Sequence, residues 1–210
     1  MKELDLLKKD WKKNADSFAQ ISTTEIYKMI HKKSSSTVKL ILIISILEVS
    51  FWIILNSLTS TDDAFAKIKH PEMILYNNIL MYANYAVVLV FIFFFYKNYK
   101  TIATEQSTQL LMRSILKTRK TVQYYVWYNL GIIVITSVFG FFVGFVYNPD
   151  MEFFKKKLAA NGSATLFTFG ILATVIVFFL GIFWCFYRLI YGTLLRRLYA
   201  NYKELKKIDF

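Results

Sequence analysis

Residues 38–58 read VKLILIISILEVSFWIILNSL. The run is apolar almost throughout, and about 21 helical residues at 1.5 Å each cover a ~30 Å hydrocarbon core. Lys39 stands at its start and one carboxylate, Glu48, sits near its middle. A charged side chain at the centre of a bilayer costs at least about 2.5–3.5 kcal/mol. Glu48 therefore has to be neutralised or hydrogen-bonded at that depth, and its partners become a question for the rest of the chain.

Working outward, three more apolar runs follow at 73–96, 125–147 and 164–187. The chain of 210 residues is 56% hydrophobic and 18% aromatic, yet it carries 26 Lys+Arg against 14 Asp+Glu. Such apolarity and such charge coexist only if they are segregated along the sequence, and they are. The pattern predicts an all-α polytopic membrane protein with four transmembrane helices. It divides the chain into a preface (1–37), a four-helix transmembrane bundle (38–190) and a basic tail (191–210).

Charge sets the orientation. The segments 1–39, 97–124 and 188–210 hold 21 of the 26 Lys+Arg, so the positive-inside rule places both termini in the cytoplasm. A net charge of +12 can also mark a nucleic-acid binder, but the positions of the charges follow membrane topology, which argues against direct nucleic-acid binding. Tyr96, Tyr99, Tyr124, Tyr125, Trp127, Trp184, Tyr187 and Tyr191 cluster at the cytoplasmic ends and read as an interfacial belt. The N-terminus MKELDLLKKDWKKN is charged and mixed, with no small-residue cleavage pattern after it. Residues 38–58 then act as an uncleaved signal-anchor.

The preface carries two helical signals. Leu4, Leu7 and Trp11 fall on one stripe with lysines around it; the stripe suits either anionic headgroups or a protein partner, and both readings are open. Ser22-Thr23-Thr24-Glu25 matches a capping box and predicts a helix from about Thr23 carrying Ile26, Tyr27 and Ile30. These six apolar residues are the candidate partner-binding set. In the loop 97–124, Leu111, Met112, Ile115 and Leu116 form another amphipathic face, expected to lie along the basic side of the membrane or to cover the bundle end. Gly140 and Gly144 form a small-xxx-small pair and are candidate helix-packing positions.

Little here suggests catalysis. His31 and His70 fall on opposite sides of the membrane and cannot share a metal. Cys185 stands alone in an apolar run, without a plausible histidine partner, and reads as a buried, inert thiol. No Gly-rich phosphate loop, nucleophile elbow or HExxH occurs. The sequence therefore predicts no enzyme and no cofactor. What remains is a polar layer at mid-membrane: Glu48, Asn84, Thr136, Ser137 and Thr174, with Asn84 the foremost expected neighbour of Glu48. It reads as a latch that fixes helix pairing, as an acid shared with another subunit, or as a proton or cation relay.

Three stretches carry a resemblance: LKKDWKK in the preface, EIYKMIHKKSSSTVK leading into the first span, and LKTRKTVQYYVWYN at the third. The chain resembles a group of small four-span inner-membrane proteins from Bacteroidota. Some of these carry a carotenoid-oxygenase label; that chemistry uses iron held by four histidines, and this chain has two. The group also resembles proteins encoded beside extracytoplasmic-function sigma factors, which implies a membrane-bound anti-sigma or signalling role. The HxxxCxxC zinc motif is missing here, and the 37-residue preface is short for a sigma-binding domain. The expectation is a non-enzymatic membrane protein that engages a cytoplasmic protein partner, either a sigma factor or a larger membrane complex. The alternative is a small transporter or channel using Glu48.

Overall fold

A computed structural model describes residues 22–59, 70–159 and 162–208. They form α1 (Thr23–Leu58), α2 (Pro71–Thr104), α3 (Thr108–Tyr147), a single 3-10 turn (Pro149–Met151), α4 (Glu152–Ala159) and α5 (Gly162–Ile208). The protein is all-α, and α1, α2, α3 and α5 are each long and apolar enough to cross a membrane. Leu4, Leu7 and Trp11 lie outside the described residues.

Local chemistry sets the helix ends. Ser22 Oγ accepts from the Glu25 backbone N–H at 3.2 Å, and Glu25 Oε2 accepts from the Ser22 N–H at 3.3 Å. The capping box thus starts α1 at Thr23 as its spacing predicts. Pro71 occupies the first turn of α2, where its missing N–H costs nothing. Between α2 and α3 only residues 105–107 leave the helix, and Glu105 Oε1 accepts from the N–H groups of Gln106 and Ser107 at 3.2 Å each.

The four long helices form an antiparallel ring. α1 packs beside α2 and α5, and α3 beside the same two, so α1 and α3 face each other across the diagonal. Most of the packed core lies at the end rich in Lys and Arg, termed here the basic end. Ile30, Val38 and Ile41 of α1, Ile102 of α2, Leu111 and Ile115 of α3, and Leu198 and Leu205 of α5 are buried there. Asn201 Nδ2 donates to Ser34 Oγ at 3.0 Å within that core. Tyr27 Oη donates to the Glu105 backbone oxygen at 3.1 Å. Burial, and secondarily the Glu105 charge, holds the Tyr27 phenol above its ordinary range. The other half of the ring turns apolar side chains outward; Leu166 and Phe167 of α5 are 78% and 71% exposed. A surface of that kind suits lipid, in which the helices satisfy their own backbone groups.

This architecture corrects several sequence expectations. The region 97–124 is not a loop: α2 runs through it to Thr104 and α3 starts at Thr108. Leu111 and Ile115 form no separate membrane-surface helix but the first buried turns of the 40-residue α3. Their partners are the opposing helices, which a single amphipathic stripe cannot name. Both α1 and α5 run unbroken through 37/38 and 190/191, and Ser34-Ser35-Ser36 continues the first of them with Ser34 bonded across the core. Ile30 is buried and so not open to a partner, while Ile26 and Tyr27 are partly buried against the same cluster. Among the described residues Gly140 and Gly144 make no close helix approach: a Cβ built at either meets nothing within 4 Å. Cys185 is exposed on α5 rather than packed inside.

Candidate functional site

The candidate site lies where the packed basic end meets the apolar half of the ring. Glu48 projects from α1, and three phenols converge on its carboxylate. Tyr125 of α3 donates to Oε2 at 2.8 Å, and Tyr191 of α5 donates to the same oxygen at 3.1 Å. Tyr187 of α5 donates to Oε1. Tyr125 reaches Glu48 across the diagonal of the ring, so the cluster joins α1 to its two non-sequential companions. Ser45, one turn before Glu48, lies with its Oγ 3.3 Å from Tyr191 Oη and returns its own proton to Ile41 O at 2.8 Å.

Aromatic packing holds the phenols in place. Tyr125 and Tyr191 are each 1% exposed and Tyr187 is 3% exposed. The Tyr125 ring meets Phe91 and Phe95 of α2 edge-on at 5.5 and 5.4 Å, and Tyr191 edge-on at 5.8 Å. Tyr187 and Tyr191 sit one turn apart and stack at 5.9 Å. Phe95, Tyr125 and Tyr191 together seal the site on its basic side.

On the other side the carboxylate borders a cavity of about 310 Å³. Its wall on α1 climbs Glu48, Trp52 and Asn56, one turn apart; α2 supplies Asn77, Asn84 and Tyr85, and α3 supplies Asn129 and Thr136. Tyr128 Oη donates to Asn84 Oδ1 at 3.0 Å, Asn56 Nδ2 donates to Tyr85 Oη at 3.0 Å, and Asn129 Nδ2 donates to Tyr125 O at 2.9 Å. The amides of Asn56, Asn84 and Asn129 are therefore oriented before any ligand arrives.

The predicted polar layer is brought together only in part. Glu48, Asn84 and Thr136 line one cavity, but Asn84 bonds Tyr128 and not Glu48. Thr136 Oγ1 returns to Ile132 O at 2.8 Å. Ser137 is not in the wall, and Thr174 lies on a separate outward groove of α5 with its hydroxyl on Gly170 O. The depth comparison fails for a clear reason. Glu48 bonds the first residue of the 125–147 run and the last residue of the 164–187 run, so it lies level with their edges rather than their centres. The first apolar run is offset from its neighbours, and centring each run separately hides the offset.

The missed residues are the tyrosines. Of the expected aromatic belt, Tyr96, Tyr124, Trp127 and Trp184 do face outward, whereas Tyr125, Tyr187 and Tyr191 point inward. The signal available was the i, i+4 spacing of Tyr187 and Tyr191, which puts two hydroxyls on one helix face. Arg188 between them turns away, its guanidinium 4.9 Å from the Trp184 ring centroid.

The class these features define is an all-α protein of four long membrane-length helices, clamped at one level by a carboxylate–tyrosine cluster beside a polar cavity. The chain belongs to the family described as a domain of unknown function (DUF8845), whose profile matches residues 24–210. No curated protein and no solved structure matches it.

Proposed function

We propose that this is a non-enzymatic, multi-pass protein of the bacterial inner membrane, with both termini cytoplasmic, that acts through protein–protein contacts of its basic end. The observation that carries this reading is the continuation of all four helices beyond their apolar runs into a packed, strongly basic bundle. A packed extension of this kind holds its outer side chains in a fixed arrangement, which suits presentation to a partner. Lys28, Lys32 and Lys33 of α1, Lys117 of α3, and Arg196 and Arg197 of α5 stand exposed on that bundle and fit a partner with an acidic face. The segment with Leu4, Leu7 and Trp11 joins this surface in the proposal. The partner is a signalling protein or a larger membrane complex. A sigma factor is its most specific version, supported by the sequence resemblance alone.

Affinity capture of the full chain in mild detergent tests the reading. One stoichiometric partner is expected, weakened by Trp11→Ala and by paired Arg196→Glu and Arg197→Glu. A clean preparation with no partner would count against it.

The cavity beside Glu48 favours a second reading, a small transporter or channel with Glu48 as an intramembrane proton or cation site. The aromatic seal of Phe95, Tyr125 and Tyr191 speaks for a dead-end site over a through path. Reconstituted vesicles decide between them: a flux abolished by Glu48→Gln supports transport, and no flux at any pH removes it.

A further inference from the structure

The carboxylate of Glu48 is incompletely matched. Its two oxygens offer about four acceptor positions; Tyr125 and Tyr191 occupy two on Oε2, and Tyr187 occupies one on Oε1. One acceptor position on Oε1 is left, at a group that borders the cavity. All three donors are neutral, so they satisfy hydrogen bonds without balancing charge. Among the described residues no Lys, Arg or His lines the cavity. A carboxylate with an open acceptor position beside a cavity suits a cationic donor.

The rest of the wall says what kind of cation fits. A volume of about 310 Å³ is far larger than a single dehydrated metal ion and is at the small end of the range for organic ligands. Trp52, Tyr85, Tyr125 and Tyr187 bring four aromatic rings to the wall, and an ammonium is attracted to ring faces as well as to a carboxylate. Asn77, Asn84 and Asn129 supply amide groups along the side. We propose that this cavity is a binding site for a small organic ammonium compound, a protonated primary amine bearing an apolar or aromatic body. Its N–H group would take the open position on Glu48 Oε1, and its body would lie between Trp52 and Tyr85. The proposal goes beyond partner binding and holds whether or not the basic bundle has a partner.

Calorimetric titration of the detergent-solubilised full chain tests it, with 2-phenylethylamine as probe and 2-phenylethanol as its neutral counterpart. The amine is expected to bind saturably and at least about tenfold more tightly than the alcohol. Glu48→Gln, whose thermal unfolding shows whether it folds, should lose that preference. Met81→Trp fills the cavity from α2 while leaving Glu48 and its three phenols unchanged in sequence, and should weaken the amine at least about tenfold. Equal binding of amine and alcohol, undiminished amine binding in either folded variant, or no saturable binding would overturn the proposal. So would full competition by sodium or potassium chloride at matched ionic strength, which would assign the site to an inorganic ion.

Discussion

Glu48 keeps its place because three phenols surround it. A hydrogen bond to a charged group contributes about 1.5–3 kcal/mol net. Tyr125→Phe and Tyr187→Phe should therefore each lower unfolding free energy in detergent by about that amount. Tyr191→Phe should cost less, because its bond to Glu48 is the longer of the two on Oε2, at 3.1 Å against 2.8 Å for Tyr125. Chemical denaturation of the three variants checks the order; three equal and negligible losses would mean that the cluster does not clamp the helices. Glu48 was legible in the sequence as an exceptional residue, since an acid in an apolar run is conspicuous by composition alone. Its partners were not. Tyrosine is equally at home at an interface and in a buried hydrogen bond, and nothing in a linear sequence says which side of a helix faces its neighbours at a given level.

At the scale of elements, the starts and ends of the helices were readable where a side chain acts locally. The Ser22–Glu25 capping box and Pro71 needed no knowledge of the fold. The region 97–124 was misread because its charges mimic a loop. Lys and Arg on the outside of a packed bundle and Lys and Arg in a loop give the same counts, and only the opposing helices distinguish them. Hydrogen exchange separates the two descriptions. Amides of 108–124 should exchange far more slowly than those of a helix lying unpacked on the membrane surface, since Leu111, Ile115 and Val122 are buried there; rapid exchange would return this segment to a surface element. The glycines give an opposite test. Gly140→Ala and Gly144→Ala should be neutral or stabilising by up to about 1 kcal/mol, because each replaces a helix-interior glycine where a methyl group has room. Thermal unfolding that falls sharply in either variant would restore a close-packing role. Ile115→Ala, in contrast, empties a fully buried site and should cost about 2–5 kcal/mol.

For the whole molecule, four runs of sufficient length were enough to give the all-α class and the number of membrane-length helices. They did not give the relative heights of the runs, which depend on packing and set the position of the site. With Glu48 at the edge of two runs, the molecule has a basic packed half and an apolar half holding a polar cavity, with the tyrosine cluster between them. The account rests on the packed half lying in the cytoplasm as a continuation of all four spans. Cysteine labelling with a membrane-impermeant maleimide tests this most directly. In a Cys185→Ser background, Gln106→Cys reports the turn at the basic end, and Glu152→Cys reports the opposite end. The account predicts that Glu152→Cys reacts in intact cells stripped of their outer membrane, and that Gln106→Cys reacts only after the inner membrane is opened. Reaction of Gln106→Cys from outside, or of both positions alike, would contradict it.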